Sequence, residues 1–285
     1  MLNISDLYKE KASLALMYFL LIVMVIFTIA PLLFMATAAF MPSRDIVKMP
    51  YQWIPKTFHW PNFFKAIAGN DGKFMFPRTL LNSLIVASTV TVTTVFIACM
   101  TGYGLAKFKF RGRMIVFLMI MATMMIPFEA IMIPLYLVTT KIGLQNSYGG
   151  LIIPFMVSAF GVFMMRQYLV TFPDEFLEAA RIDGMGEMRI FWTIIFPNSG
   201  PTIATLAILS FRAQWDNLLW PLLVIQSEKM KTVPLYIVKF TAEKHSDEGA
   251  MMAVALLASV PMFILFFVLS EYFVGGSAVY SSRKG

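Results

Sequence analysis

Long apolar runs constrain the fold of this chain more than any other feature of its sequence. A helix needs about 20 apolar residues to cross the hydrocarbon core of a bilayer, and six windows approach that length. With 59% hydrophobic and 14% charged residues, the composition is far too apolar for an ordinary soluble domain. We therefore expect an all-α integral membrane protein with six transmembrane helices. The predicted spans cover residues 13–40, 79–106, 114–139, 148–169, 197–225 and 250–273.

Six spans leave few of the 285 residues for anything else, and we predict a single transmembrane domain over residues 1–285. The first apolar run is about twice as long as the core of a signal peptide. We therefore expect it to be retained as a membrane anchor, although Ala36-Thr37-Ala38 is similar to a cleavage site.

Residue types that form catalytic or metal sites do not occur at recognisable spacing. The nearest match to a phosphate-binding loop, Gly69 to Phe74, has the wrong spacing and a phenylalanine after its lysine. The two histidines, His59 and His245, lie far apart in predicted loops, and the single cysteine, Cys99, lies inside the second span. We predict no catalytic residue, no metal site and no cofactor bound by this chain.

The net charge of +7 is expected to face anionic lipid rather than nucleic acid. Positive residues divide evenly between the two sides of the predicted bundle, but KFKFRGR, Lys107 to Arg113, packs four of them into one short loop without an acid. Because such loops stay inside, this loop and both chain termini are predicted to be cytoplasmic. The aromatic loop 41–77 is then external, and its rings can anchor the chain at the interface or bind an external partner.

The stretch EAARIDGMGEMRIFWTIIFP, Glu178 to Pro197, interrupts the apolar sequence with a charged segment. Pro173 suits the first position of a helix and acids follow it in the first turn, so a helix is predicted over residues 173–184. Gly184 and Gly186 can adopt the left-handed conformation that ends a helix. One face of the helix is predicted to be apolar, formed by Phe176, Leu177 and Ala180.

The residues alone describe an amphipathic connector at the inner membrane surface, but their order also resembles the EAA loop of binding-protein-dependent ABC importer permeases. The matching positions are Glu178, Ala179, Ala180, Gly184, Ile194 and Pro197, with Phe196 where leucine is usual. Other stretches are similar to the maltose-type carbohydrate permeases, specifically their smaller six-helix subunit, and the likeness runs from about residue 78 to 224. These stretches are TGYGLAKFKFRGR (101–113), MIPFEAIMIPLYL (125–137), GLQNSYGGLIIP (143–154) and QWDNLLWPLLV (214–224).

The resemblance implies that the helix at residues 173–184 is a coupling helix, which docks on a cytoplasmic ATPase. It also implies a second permease subunit in a heterodimer, two cytoplasmic ATPase subunits and an extracytoplasmic solute-binding protein. ATP and Mg would be held by the ATPase subunits, and the chain would be a multi-pass protein of the bacterial cytoplasmic (inner) membrane. The residues expected to couple are Phe176, Leu177, Glu178, Ala179, Ala180, Asp183 and Gly184.

Three charges interrupt the predicted third and fifth spans and need an explanation, because a buried charge is costly in a bilayer. Arg212 and Asp216 are four residues apart on one helix and can neutralise each other. Counting residues along straight helices puts Glu129 and Arg212 at a similar depth, roughly 22 Å from each helix start, so we expect Arg212 to contact both carboxylates. Amides, a carboxylate and indole faces near these charges could instead line a pathway for a polyol. The candidate pathway residues are Glu129, Arg212, Gln214, Trp215, Asp216, Asn217 and Trp220.

The sequence is therefore interpreted as a permease subunit of an ATP-driven importer of a carbohydrate, and not as an enzyme. A glycerol phosphate or other polyol importer is the nearest alternative, and an excess of basic groups along the pathway would favour it. A secondary carrier driven by an ion gradient would use Glu129 as its ion site, but it would leave the charged inner helix without a role.

Overall fold

All regular structure is helical in the part of the chain that the computed structural model describes, residues 4–69, 72–242 and 246–281. This confirms the predicted all-α class. His245 and the chain ends, for which we predicted a loop and a cytoplasmic location, lie outside the described residues. The α-helices are α1 (Ile4–Ala38), α2 (Ser43–Ile46), α3 (Pro61–Ala68), α4 (Phe76–Lys107), α5 (Arg113–Thr123), α6 (Phe128–Lys141), α7 (Tyr148–Ile152), α8 (Ala159–Thr171), α9 (Glu175–Ile182), α10 (Glu187–Ile190), α11 (Phe196–Asn198), α12 (Gly200–Trp215), α13 (Leu219–Val224), α14 (Val233–Ala242) and α15 (Glu248–Ser281).

In the part of the chain that the structure describes, three uninterrupted helical segments are long and apolar enough to cross a membrane: Ser13–Ala38 in α1, Phe76–Lys107, which is α4, and Glu248–Ser270 in α15. Three further pairs of helices pass the same test only if each bent pair is one span, which gives up to 6 spans. A short 3₁₀ segment, Ile153–Phe155, extends α7, and a π-helical turn, Phe191–Ile195, joins α10 to α11.

The third predicted span is not one helix. Residues 113–123 and 128–141 form α5 and α6, which meet at an angle of 94°. Pro127 lies at the break with an extended backbone, φ −63° and ψ 141°. A proline also disfavours the helical conformation of the residue before it, so the chain turns here.

The fourth and fifth predicted spans also bend. The fourth changes direction by 41° before α8, where the Ser158 hydroxyl accepts a hydrogen bond from Gly161 N and caps the new helix. In the fifth, the segment Glu187–Asn198 meets α12 at 77°, and α12 itself ends at Trp215. Residues 197–225, predicted as one span, are therefore not one continuous helix.

The chain divides into two compact units, and the larger one consists of residues 74–238 together with 258–281 of the described chain. In this unit α4 packs against α8 and α12. The crossing of α4 and α8 is close, because a Cβ atom added at Gly102 would lie 2.8 Å from Met165 Cβ and 3.0 Å from Arg166 N. The glycine thus sets the approach of the two helices.

Within the described chain, residues 4–69, 72–73, 239–242 and 246–257 form the smaller unit. Asp247 joins two short helices of this unit, since it accepts hydrogen bonds from Ser43 Oγ in α2 at 2.9 Å and from Lys65 Nζ in α3 at 2.7 Å. Burial opposes ionisation of this carboxyl group, but the bonds from Lys65, Ala250 N and Ser43 leave its pKa below the usual 3.8. Most of the aromatic loop lies in this unit, where Trp53 and other rings are exposed.

Candidate functional site

The charged stretch that interrupts the apolar sequence forms α9 and the turn after it. The turn is formed by two nested hydrogen bonds, from Met185 N to Ala180 O at 2.9 Å and from Gly184 N to Arg181 O at 3.0 Å. This is the glycine-terminated helix end that we expected, and Gly184 has a φ of 78°. Gly186 does not share the left-handed conformation, since its φ is −73° and its ψ is 154°.

The apolar residues of α9 do not form one face. Leu177 and Ala180 are 1% and 4% exposed and pack in the core of the larger unit, whereas Phe176 is 52% exposed. The chain's own core therefore occupies Leu177 and Ala180, and of the predicted apolar face only Phe176 is exposed. Helical spacing identifies apolar positions, but it does not tell which of them the chain's own core occupies.

The exposed side of α9 carries one aromatic, one aliphatic and one small side chain, together with two acidic side chains. Ile182 is 85% exposed, and we did not single it out from the sequence, although it follows Phe176 and Ala179 along one side of the helix. We call this surface the α9 outer face, and its members are Phe176, Glu178, Ala179, Ile182 and Asp183.

Lys107, the last residue of α4, holds the start of α9. Its ammonium group donates to Asp174 Oδ1 and to the carbonyl oxygen of Phe172, both at 2.6 Å. The lysine side chain is only 4% exposed. The hydrogen bond from Lys107 keeps the pKa of the Asp174 carboxyl group below its usual 3.8.

A second contact holds the start of α10. The Tyr103 hydroxyl donates to Glu187 Oε2 at 2.7 Å, and Arg181 Nε donates to Glu187 Oε1 at 2.7 Å. The hydrogen bond from Arg181 is the main cause of a pKa of Glu187 below its usual 4.5. Sequence reasoning missed this network, because nothing in the spacing of Tyr103 and Glu187 indicates that they meet.

Of the charges predicted inside spans, Arg212 and Asp216 form the expected pair, with Arg212 Nε 3.4 Å from Asp216 Oδ2. Both side chains are more than 60% exposed, at 68% and 62%. Glu129 is exposed in the first turn of α6, and over the described residues it forms no ion pair within 4 Å with Arg212. The expected contact between Arg212 and Glu129 is therefore absent. The depth estimate assumed straight helices, but both helices are bent before the charges.

The two tryptophans of the candidate pathway are core residues. Trp215 is 4% exposed and stacks on Phe211 at 5.5 Å, and Trp220 is fully buried. The Trp220 indole Nε1 donates to the carbonyl oxygen of Gly150 at 2.8 Å. Neither indole face is free to stack on a sugar ring. Asn217 accepts a hydrogen bond from Trp220 N at 3.3 Å through Oδ1 and so supports the start of α13.

Gln214 is the predicted pathway residue that lines a cleft. The cleft has a volume of about 280 Å³ and lies between α4, α12 and the segment that joins α7 to α8. Its polar lining comes from Thr94, Ser158, Ser210 and Gln214, and Phe155 and Phe160 contribute rings. No charged side chain lines the cleft within the described part of the chain. Hydroxyl and amide groups beside aromatic rings can bind a neutral polar solute.

No group of three His, Cys, Asp or Glu side chains is placed to hold a metal ion in residues 4–69, 72–242 and 246–281. Cys99 is buried and has no disulfide partner there.

Comparison with known proteins supports the resemblance read from the sequence. Residues 94–276 match the family described as binding-protein-dependent transport system inner membrane component. The arabinooligosaccharides transport system permease protein AraQ of Bacillus subtilis (strain 168) is 32% identical over 271 residues, covering 94% of each chain. The sn-glycerol-3-phosphate transport system permease protein UgpE of Yersinia pestis bv. Antiqua (strain Antiqua) is 33% identical, covering 91% of this chain and 94% of the relative.

The fold has a counterpart among solved structures. A chain in the crystal structure of a bacterial ABC transporter involved in the import of the acidic polysaccharide alginate superposes with a TM-score of 0.81. The match covers 93% of this chain and 98% of the other, at 21% sequence identity.

Proposed function

This chain belongs to the family of binding-protein-dependent transport system inner membrane components, and on that premise we propose that it is a permease subunit of an ATP-driven importer of a carbohydrate. It is a transport subunit and not an enzyme. The observation that carries the proposal is the full-length similarity to permeases of oligosaccharide and glycerol phosphate transport systems.

The α9 outer face is the surface that we propose for docking on a cytoplasmic ATPase. It presents an exposed ring and an exposed aliphatic side chain beside two carboxylates, while the opposite side of α9 is anchored in the core. An aromatic anchor with charges around it is a common composition of a protein interface. Two such ATPases, which hold ATP and Mg, a second permease subunit and an extracytoplasmic solute-binding protein complete the proposed assembly.

The proposed location is the cytoplasmic membrane of a bacterium, with the basic loop 107–113, α9 and both chain ends on the cytoplasmic side. Lys107 contacts both Phe172 and Asp174, so the basic loop and the start of α9 lie at the same end of α4. The orientation of the basic loop therefore also gives the orientation of α9.

The cleft favours a neutral solute over a phosphorylated one. Arginine and lysine are the usual side-chain partners of a phosphate group, and the described lining of the cleft offers neither. The start of α8, at Ser158, also lines the cleft, so the preference for a neutral solute rests on the missing cation. We propose that sugar hydroxyls bind Ser210, Gln214 and their neighbours during passage. The 33% identity to a glycerol phosphate permease keeps a phosphorylated polyol as the alternative substrate.

An ion-coupled secondary carrier is the weaker alternative. Its candidate ion site, Glu129, is an exposed carboxylate just after the bend between α5 and α6, and among the described residues it belongs to no group of three His, Cys, Asp or Glu side chains that could hold a metal ion. Membership of this family agrees with a docking role for the α9 segment, whereas a secondary carrier would give that segment no role.

Uptake by the reconstituted complex of both permeases and the ATPases, with the solute-binding protein added outside, tests the proposal. We expect uptake of an arabino-oligosaccharide that requires ATP inside the vesicles and persists with an uncoupler. Gln214→Leu should lower this uptake by about tenfold, since it would leave a substrate hydroxyl unpaired. Gln226→Leu, at an exposed glutamine outside the cleft, is the control.

Uptake that ignores ATP and stops with the uncoupler would contradict the importer. Import of sn-glycerol 3-phosphate without import of any oligosaccharide would overturn the carbohydrate assignment and leave the importer intact. An unchanged rate in Gln214→Leu would remove the cleft from the pathway.

A further inference from the structure

Two side chains on one face of α4 hold opposite ends of the α9–α10 segment, which we define as residues 174–190. Tyr103 and Lys107 are four residues apart in α4, so they lie one above the other on the same side of the helix. Lys107 binds the start of α9 through Asp174, and Tyr103 binds the start of α10 through Glu187.

The two contacts lie on either side of the turn at Gly184. A single contact would act as a pivot, around which the segment could rotate relative to α4. Two contacts, one before the turn and one after it, resist such a rotation, because at least one hydrogen bond must break. Arg181 strengthens the second contact from within the segment, since it binds the same carboxylate of Glu187 at 2.7 Å.

Both α4 side chains are buried at these contacts. Lys107 has a side chain that is 4% exposed, and Tyr103 is 5% exposed. Breaking either contact would strand a buried polar group, and an unpaired buried charge is especially unfavourable. The arrangement therefore favours movement of the α9–α10 segment and α4 as one body.

The other end of α4 is also fixed by polar contacts. Asn82, which is fully buried, donates through Nδ2 to the carbonyl oxygens of Lys229 and Lys231, both at 2.9 Å. The Ser83 hydroxyl accepts from Val233 N at 2.8 Å. At 1.5 Å per residue, Asn82 and Lys107 are about 37 Å apart along the helix. A displacement of one end of α4 would therefore also move residues 229–233, which are bound to its other end.

We propose that Tyr103 and Lys107 are positioning residues that lock the α9–α10 segment to α4, so that movement of the segment by an ATPase is passed along α4. This inference rests on the proposed function, because it assigns how the docking of α9 reaches the rest of the permease. Neither residue touches the ATPase or the solute in this role.

The test compares transport with ATP hydrolysis in the reconstituted complex. Tyr103→Phe removes only the hydroxyl group and retains the ring in the core, and Lys107→Met removes the charge while retaining most of the chain length. Each variant should lower the number of solute molecules imported per ATP by about tenfold, as expected for loss of one buried or charge-assisted hydrogen bond. ATPase binding and basal hydrolysis should stay at the wild-type level, because the α9 outer face is unchanged.

Lys107→Arg should recover most of the ratio, since an arginine can still donate to Asp174. Lys109→Met is the matched control, because Lys109 is an exposed lysine in the same loop. A wild-type ratio of import to hydrolysis in both Tyr103→Phe and Lys107→Met would overturn the inference. Loss of ATPase binding in both would equally overturn it, because the contacts would then support docking rather than transmission. If the wild-type complex itself imports nothing with ATP, the proposed function fails, and that result is separate from any difference between variants.

Discussion

At the scale of single residues, glycines decide where helices of this chain approach each other. Gly102 lies against Met165 and Arg166 of α8, whereas a Cβ atom at Gly104, two residues along the same helix, would meet nothing within 4 Å. The two positions therefore offer a matched pair with opposite expected effects.

Gly102→Ala should destabilise the chain by about 1–3 kcal/mol, since the new methyl group must push α4 and α8 apart. Gly104→Ala should be neutral or stabilising by about 0.5–1 kcal/mol, because alanine has the higher helix propensity. The temperature at which half of the detergent-solubilised protein aggregates would report both changes. Equal midpoints for the two variants would contradict the close crossing.

The type of a residue alone could not show whether its side chain belongs to the core or to the candidate site. Trp215 and Trp220 have the chemistry of a sugar platform, but both are buried, Trp215 at the end of α12 and Trp220 near the start of α13. Gln214 was selected for the same reason, yet it lines the cleft. Which side of a helix meets the core is decided by its neighbours in space, and these are not encoded in local spacing.

At the scale of secondary structure, α9 could be predicted closely because its signals are local. The acids after Pro173 and the glycine at Gly184 mark its two ends, and the observed helix is Glu175–Ile182. The bends at residues 124–127 and at Ser199 could not be predicted from apolar content, since an apolar run has the same composition whether it is straight or bent. Prolines lie at both sites, Pro127 at the first and Pro201 just after the second, and such prolines can indicate a bend.

The division of α9 into a buried and an exposed face leads to a test with adjacent residues. Phe176→Ala should leave the chain folded and weaken ATPase association by about tenfold, because a small number of anchor side chains, often aromatic, carries most of the energy of a protein interface. Leu177→Ala should instead destabilise the chain by about 2–5 kcal/mol, since it opens a cavity in the core. Co-purification of the ATPase and the yield of folded permease would separate these effects.

If Leu177→Ala lowers ATPase association at an unchanged yield of folded protein, then Leu177 faces the partner and the assigned outer face is wrong. An unchanged association in Phe176→Ala would remove the proposed aromatic anchor.

At the scale of the whole molecule, the class and the family were predictable because they depend on properties that tolerate bending. Apolar content is retained whether a span is continuous or broken, and the EAA order of Glu178, Ala179 and Ala180 is local. The match of the family to residues 94–276 lies within these same apolar and EAA stretches. The number of spans depends more on the three-dimensional structure, since three of the six are counted only if each bent pair of helices is one span.

Orientation in the membrane can be tested with cysteines placed at opposite ends of α4. Lys109 follows the end of α4 that holds α9, and the carbonyl oxygen of Lys229 is bound by Asn82 at the other end. In a Cys99→Ser background, Lys109→Cys and Asp183→Cys should be protected from an impermeant thiol reagent in intact cells, because positively charged short loops stay inside. Lys229→Cys should react in the same cells, and all three positions are exposed.

Lysis should make the first two reactive, which controls for burial. Labelling of Lys109→Cys and protection of Lys229→Cys before lysis would invert the whole bundle, and would place the α9 outer face on the side where no ATPase could reach it.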